Sequence, residues 1–136
     1  MRPVRSLLLV VGSASLIAGC GQGDDREQLR AVTQRFSTAL AEREGAVACA
    51  QLSEDLVRQL ESQEGEPCPQ AVLGLALSGG QPAATEAFIT SGKVELTGGK
   101  SVFLDRTSEG WRLSALGCQP EQGKPADRPF ECEVEA

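Results

Sequence analysis

Apolar side chains recur at steps of three and four residues along the first part of the chain. Over residues 24–45 this spacing predicts an amphipathic helix, with Asp24 as its cap and Gly45 as its stop. The apolar stripe of this helix consists of Leu29, Val32, Phe36, Ala39 and Leu40. We therefore expect the helix to lie with this stripe against a core.

Two further helices are predicted between residues 52 and 78. The second begins near Ser53 and ends at residues 65–67, where glycine and proline interrupt the pattern. Its buried stripe consists of Leu52, Leu56 and Leu60. The third is predicted over residues 70–77, because Pro69 suits a first helical turn and glycines follow the segment.

After Pro82 the period of the pattern changes to two, which is typical of strands. The predicted strands cover residues 87–90, 93–97, 101–105 and 111–115, with turns at 98–99 and 107–110. In the last segment, 130–135, we expect Phe130, Cys132 and Val134 to face the core and Glu131, Glu133 and Glu135 to face water. Helices followed by an antiparallel meander predict an α+β domain, with N-terminal helices packed on a curved antiparallel sheet.

The first twenty residues have the layout of an export signal. Arg2 and Arg5 precede an apolar run over residues 7–18, which is shorter than the about 20 residues that a membrane-crossing helix needs. The run ends in Leu16-Ile17-Ala18-Gly19-Cys20, which resembles the lipobox of bacterial lipoproteins. The resemblance implies a diacylglyceryl group on the sulfur of Cys20, cleavage before that residue, and often a further acyl chain, such as palmitate, on the new amino group.

Lipidation predicts three segments: a lipoprotein signal peptide over residues 1–19, a lipidated tether over 20–24, and a single α+β domain over 25–136. The domain is then expected on the extracytoplasmic face of the cell membrane. Each buried methylene contributes about 0.8 kcal/mol, so stable attachment takes two or more acyl chains. Two alternatives for Cys20 are an ordinary secretory signal with a chance cysteine and a disulfide at this position.

The cysteine count favours two disulfides. With Cys20 given to lipid, Cys49, Cys68, Cys118 and Cys132 remain, an even number in an oxidising compartment. Of the three connectivities, we expect the pairing of nearest neighbours, because local structure can close both loops. A zinc site is disfavoured, since neither pair has C-x-x-C spacing and the chain has no histidine.

The charge of the chain bears on its partners. Removal of residues 1–19, which contain two arginines and no acid, changes the formal net charge from −6 to −8. An acidic surface repels nucleic acid and anionic headgroups. We therefore expect no nucleic-acid partner, and membrane attachment through the lipid rather than through a basic patch.

The residue types restrict the chemistry. Since histidine and tyrosine are absent, catalysis would need a cofactor, carboxylates, or Lys93, Lys100 or Lys124. Asp105 is a candidate base at a strand end, although a surface charge near a turn is the commoner situation. The three glutamates of the last segment can bind calcium, but more commonly such residues solvate an exposed face. Trp111 is a candidate pocket or partner contact, and a core position is the commoner one for such a residue. We expect no catalytic site, no metal and no cofactor.

The order of several short motifs resembles the NTF2-like superfamily, and within it small actinobacterial lipoproteins. These motifs are Ala48-Cys49-Ala50-Gln51-Leu52, Cys68-Pro69, Val102-Phe103-Leu104, Gly110-Trp111-Arg112-Leu113, Gly117-Cys118 and Glu131-Cys132-Glu133-Val134. The resemblance covers most of the chain after Cys20. It implies an NTF2-like or cystatin-like fold, in which a curved sheet wraps around helices.

The expected function is that of a membrane-anchored, non-catalytic binding or interaction module for an envelope protein or a small apolar ligand. The alternatives are an NTF2-like enzyme with a carboxylate base inside the cone and a structural envelope protein. A carboxylate buried in a pocket would favour the enzyme. A filled interior would favour contacts through the outer surface.

Overall fold

The computed structural model describes residues 21–75, 77, 80–120 and 130–136, and within these ranges the chain is α+β, as predicted. The signal peptide, Cys20 and Lys124 lie outside the described residues. The helices are α1 (Gln22–Ala41), α2 (Gly45–Cys49), α3 (Glu54–Glu64) and α4 (Cys68–Gly74). The strands are β1 (Pro82–Ala87), β2 (Ser91–Leu96), β3 (Ser101–Thr107), β4 (Gly110–Pro120), β5 (Phe130–Glu131) and β6 (Val134–Glu135).

The strands form one open antiparallel sheet. Strands β1 to β4 are neighbours in chain order, and both β5 and β6 pair with β4. Gly92, Leu104 and Leu113 form one row across the sheet, and this row faces the helices, because a Cβ on Gly92 would lie 2.5 Å from Leu29 of α1. Neighbouring residues on a strand point to opposite faces. The face away from α1 is called the outer face below.

Helix α1 begins earlier than predicted. Its N-cap is Gly21, so no side chain caps this end of the helix. Asp24 lies in the first turn rather than at the cap. A carboxylate there still interacts favourably with the positive end of the helix. Since the helix starts at Gln22, residues 22–24 of the predicted tether are helical.

The end of α1 also differs from the prediction. The helix stops at Ala41, and Arg43 adopts the left-handed conformation with φ of 59°. The N–H of Arg43 donates to the carbonyl of Leu40 at 3.1 Å and that of Glu44 to Ala39 at 2.8 Å. These two bonds form a Schellman motif, which satisfies the last carbonyls of the helix.

Gly45, the predicted stop of the first helix, instead opens the short helix α2. A Cβ built on this residue would lie 2.1 Å from the carbonyl oxygen of Pro69. The glycine is needed because the backbones of α2 and α4 approach closely there.

Helix α3 agrees with the prediction at both ends. The Ser53 hydroxyl caps it by accepting a bond from the Leu56 N–H at 3.2 Å, and Gly65 ends it with φ of 71°. Leu56 and Leu60 are fully buried. Helix α4 ends at Gly74, three residues before the predicted end, because Leu75 is already extended.

Two strand predictions are wrong. Strand β1 covers Pro82–Ala87 rather than residues 87–90, and Phe88 begins the turn to β2, where its N–H donates to the carbonyl of Ser91 at 2.8 Å. The predicted strand over 130–135 is divided into β5 and β6, with Cys132 and Glu133 between them. Its alternation is therefore broken: Val134 is buried, whereas Phe130, Cys132 and Glu133 are all half-buried.

Both disulfides join nearest neighbours. Cys49 at the end of α2 is bonded to Cys68 at the start of α4, with an S–S distance of 2.02 Å. Cys118 on β4 is bonded to Cys132, with an S–S distance of 2.08 Å. Each bridge ties together segments that are close in the sequence.

One hydrophobic core lies between the helices and the sheet. Its largest fully buried side chains include Leu29, Leu56, Leu60, Leu104, Trp111, Leu113 and Leu116. The buried polar residues in the described ranges are uncharged: Thr33, Ser37, Ser101 and Ser114. Across those same ranges, no helix combines the length and the apolar character that a membrane crossing requires.

Candidate functional site

Trp111 lies at the start of β4, and 2% of its surface is exposed. Its position is therefore in the core, and the ring is not open to a ligand. The indole N–H points toward the N-terminal end of α1, where Asp25 Oδ1 accepts from it at 3.4 Å. The sole tryptophan of the chain thus joins the sheet to the first turn of the first helix.

Arg106 completes this contact. Its guanidinium forms an ion pair with Asp25 at 2.6 Å and lies over the Trp111 ring, 4.5 Å from the ring centroid. Arg106 and Trp111 are register partners on β3 and β4, which brings the cation to the aromatic ring. Asp25, Arg106 and Trp111 are called the Trp111 corner below.

The turn between β1 and β2 lies against the Trp111 corner and carries two exposed apolar side chains. Phe88 is 56% exposed and Ile89 is 88% exposed. The backbone of the turn is held by β3: the Arg106 N–H donates to the carbonyl of Thr90 at 2.8 Å, and Arg106 Nε donates to the carbonyl of Ile89 at 3.3 Å. Residues 88–90 are called the hairpin tip below.

A second cluster lies on the outer face of the sheet, around Lys93. The Lys93 ammonium is 3.3 Å from Glu86 and 3.2 Å from Glu95, and 5.6 Å from the centroid of the Phe130 ring. The Phe130 ring meets Phe103 edge to face, with 5.1 Å between centroids. Burial lowers the pKa of Lys93, but hydrogen bonds to both glutamates and their charges outweigh it, so the pKa is raised above its usual value.

The carboxylates singled out in the sequence do not converge. Asp105 is exposed on β3, as a surface charge would be. Glu131 and Glu135 are exposed, whereas Glu133 forms an ion pair with Lys100. Among the described residues, no three acidic or sulfur-bearing side chains are grouped to hold a metal ion.

A cavity beneath α1 has room for about one water molecule. Its volume is about 10 Å³, close to the lower limit for a single water. The lining includes Phe36, Leu40, Leu77, Leu96, Lys100 and Val102. No carboxylate lines this cavity, so it offers neither the volume for a small apolar ligand nor an acid that could act as a base.

Comparison of the chain with known protein families, with curated proteins and with solved structures finds no match. The candidate site therefore depends on the geometry of this chain alone. Sequence analysis identified Trp111 but missed Asp25, Arg106, Phe88 and Ile89. The one signal for the last two was an uncharged run over residues 87–92, of which residues 87–90 were predicted to form a strand.

Proposed function

We propose that this chain is a membrane-anchored extracytoplasmic lipoprotein whose domain acts as a non-catalytic binding or interaction module. The observation that carries the proposal is the junction between the lipobox and the domain. Gly21, directly after Cys20 in the sequence, is the N-cap of α1. The cleavage and lipidation that the lipobox implies would leave the whole folded domain intact and bring it directly to the membrane.

The disulfides support an extracytoplasmic location. Disulfides persist in oxidising compartments and are rare in the cytosol. Four of the five cysteines are consumed in two bridges, Cys49–Cys68 and Cys118–Cys132. Cys20 is the one cysteine left for another modification.

The surroundings of the carboxylates favour binding over catalysis. Asp105, the candidate base, is exposed to water on β3 rather than enclosed in a pocket. Asp25 is half-buried, but Arg106 pairs with it and the Trp111 indole N–H donates to it. The positions of Asp105 and Asp25 are thus explained without a catalytic role for either carboxylate.

The outer face of the sheet is the surface that we assign to a partner. Contacts between helices and the sheet involve α1 with β1, β2 and β4, and α3 with β4 and β6. The row that includes Lys93 and Phe103 points away from α1. Its mixture of a cation, two carboxylates and an aromatic pair suits an envelope protein better than nucleic acid, which the net charge of −8 after removal of residues 1–19 disfavours.

The finer fold assignment, NTF2-like or cystatin-like, is part of the same proposal. Helices that precede an antiparallel meander, with α1 lying across β1, β2 and β4, support it. The small volume beneath α1 is a reason to assign binding to the outer surface rather than to an enclosed cone.

The anchor is tested by fractionation of cells that produce the full chain. Cys20→Ser is expected to release the protein from the membrane fraction, and mass spectrometry of the wild type is expected to show diacylglyceryl on Cys20 and no residues 1–19. Gly23→Ala is the matched control, because nothing lies within 4 Å of a Cβ at that exposed position. Membrane retention of Cys20→Ser would refute the anchor.

The interaction surface is tested with a photoreactive residue in intact envelopes. At Glu95, on the outer face, it is expected to form a discrete protein adduct. The same residue at Gln59, an exposed position on α3, is the control. Equal adducts at both positions, or none at Glu95, would contradict an outer-face partner.

A further inference from the structure

We infer that the hairpin tip, Phe88–Thr90, inserts into the membrane beside the lipid on Cys20, so that the domain is held by two contacts rather than by one tether. This inference rests on the proposed function, because it needs the anchor. It assigns the one exposed apolar turn of the described residues to a lipid surface. Three steps lead to it: the location of the tip, its chemistry and its rigidity.

A short series of contacts joins the hairpin tip to the residue that follows Cys20. Arg106 binds both the carbonyl of Ile89 and the carboxylate of Asp25. The Asp25 N–H donates to the carbonyl of Gly21 at 3.0 Å. Asp25 and Gly21 are therefore separated by one helical turn, which is about 5.4 Å along the helix axis. Cys20 is one residue further, about 3.8 Å. A lipid on Cys20 would therefore bring the bilayer surface to this end of the sheet.

The chemistry of the tip suits the interface of a bilayer. Three large apolar residues of the described ranges are exposed, and two of them, Phe88 and Ile89, are adjacent at this location. No charged residue occurs over 87–92, so the turn would bury no charged side chain of its own, and the adjacent Arg106 is paired with Asp25. The neighbouring turn carries Glu109, which pairs with Arg112 and suits the headgroup layer. This arrangement allows shallow insertion, within the about 5–10 Å that interfacial elements reach.

Hydrogen bonds fix the backbone of the tip to the sheet. Two hydrogen bonds from Arg106 hold its backbone, and the Phe88 N–H closes the turn on Ser91. Ordering costs on insertion are therefore small. An anchor on Cys20 also keeps the tip at a high effective concentration near lipid, so the contact of two apolar side chains is sufficient. Since the chain is acidic, this contact is apolar rather than electrostatic, and we expect it to be insensitive to salt.

The test uses lipidated protein, verified by mass spectrometry, in phosphatidylcholine vesicles with and without phosphatidylglycerol. Phe88→Trp adds a tryptophan at the tip, and the wild type supplies the signal of Trp111 for subtraction. Bromine attached to the acyl chains near the headgroup quenches tryptophan at shallow depth. We expect the added emission of Phe88→Trp to shift to shorter wavelength on binding to vesicles. We also expect brominated lipid to lower this emission by at least half, equally at low and high salt. The matched control, Val47→Trp, is 44% exposed on α2, beyond the far end of α1, and we expect no quenching there.

The outcomes distinguish failure of the tip insertion from failure of the anchor. Lipidated protein whose Phe88→Trp is quenched no more than Val47→Trp overturns the insertion of the tip and leaves the anchor standing. An unmodified Cys20 overturns the anchor, and this inference with it. A Phe88→Trp signal that is shielded from acrylamide in the water, yet unaffected by brominated lipid, would mean that a second copy or another protein covers the tip, and would also overturn the insertion.

Discussion

The Trp111 corner makes a prediction that compares two adjacent aspartates. Asp24 and Asp25 both lie in the first turn of α1, so both interact with the positive end of the helix. Asp25 alone of the two contacts the sheet, through Arg106 and Trp111. Asp24→Ala therefore removes the helix-dipole contribution, whereas Asp25→Ala removes that contribution and the tertiary contact.

The magnitude follows from the exposure of the partners. The Arg106 side chain is 43% exposed, so loss of the ion pair costs about 1 kcal/mol at most. Asp25→Ala also leaves the buried Trp111 N–H without its acceptor, and because that bond is long, at 3.4 Å, we take the lower end, about 1 kcal/mol. With a dipole contribution of about 0.5 kcal/mol, the expected losses are about 2.5 kcal/mol for Asp25→Ala and about 0.5 kcal/mol for Asp24→Ala.

Urea unfolding of the Cys20→Ser form, with its disulfides intact, measures both variants. Fluorescence of Trp111 reports unfolding directly, because it is the only tryptophan. At a urea dependence of about 2 kcal/mol per molar, the midpoints of the two variants should differ by about 1 M. Asp25→Asn, which retains an oxygen for the indole but no charge, should lie between them. Equal midpoints for Asp24→Ala and Asp25→Ala would refute the tertiary contact.

Two further predictions concern a tightly packed glycine and a buried hydroxyl. Gly45→Ala should lower the free energy of unfolding by about 2 kcal/mol or more, because its Cβ would overlap a backbone oxygen at 2.1 Å, whereas Gly23→Ala has open space and should be neutral or stabilising; equal thermal midpoints would contradict this. Thr85→Val should raise stability by about 1 kcal/mol, since the buried Thr85 hydroxyl has no hydrogen-bond partner among the described residues. Thr33→Val is its control and should lose stability, because the Thr33 hydroxyl donates to a backbone carbonyl at 2.8 Å; a loss in both variants would contradict the assignment.

Local signals in the sequence were sufficient where the structure itself is local. The start of α3 near Ser53 and its stop at residues 65–67 were predicted because each depends on residues within one turn of the helix end. The end of α1 was missed because an arginine, Arg43, occupies the left-handed position that glycine usually fills. The next glycine, Gly45, was taken as the stop, although close packing rather than conformation requires it.

The candidate site was hidden from the sequence because its contacts are distant along the chain. Asp25 meets Trp111 across 86 positions, and nothing near either residue indicates the other. Phe88 and Ile89 are typical strand residues by type, yet Arg106 of β3 fixes their backbone as a turn. Tertiary contact thus overrode propensity at the one segment on which the membrane inference depends.

The pairing of the disulfides has a consequence for how the protein matures. Each bonded cysteine is joined to the next bonded one along the chain, across separations of 19 and 14 residues. If the chain is exported N-terminus first with Cys20 lipidated, as proposed, the earlier pair can be oxidised before the later thiols arrive. A simple thiol oxidase is then sufficient, since no wrong bridge has to be broken and reshuffled. Its biogenesis should accordingly not require a disulfide isomerase.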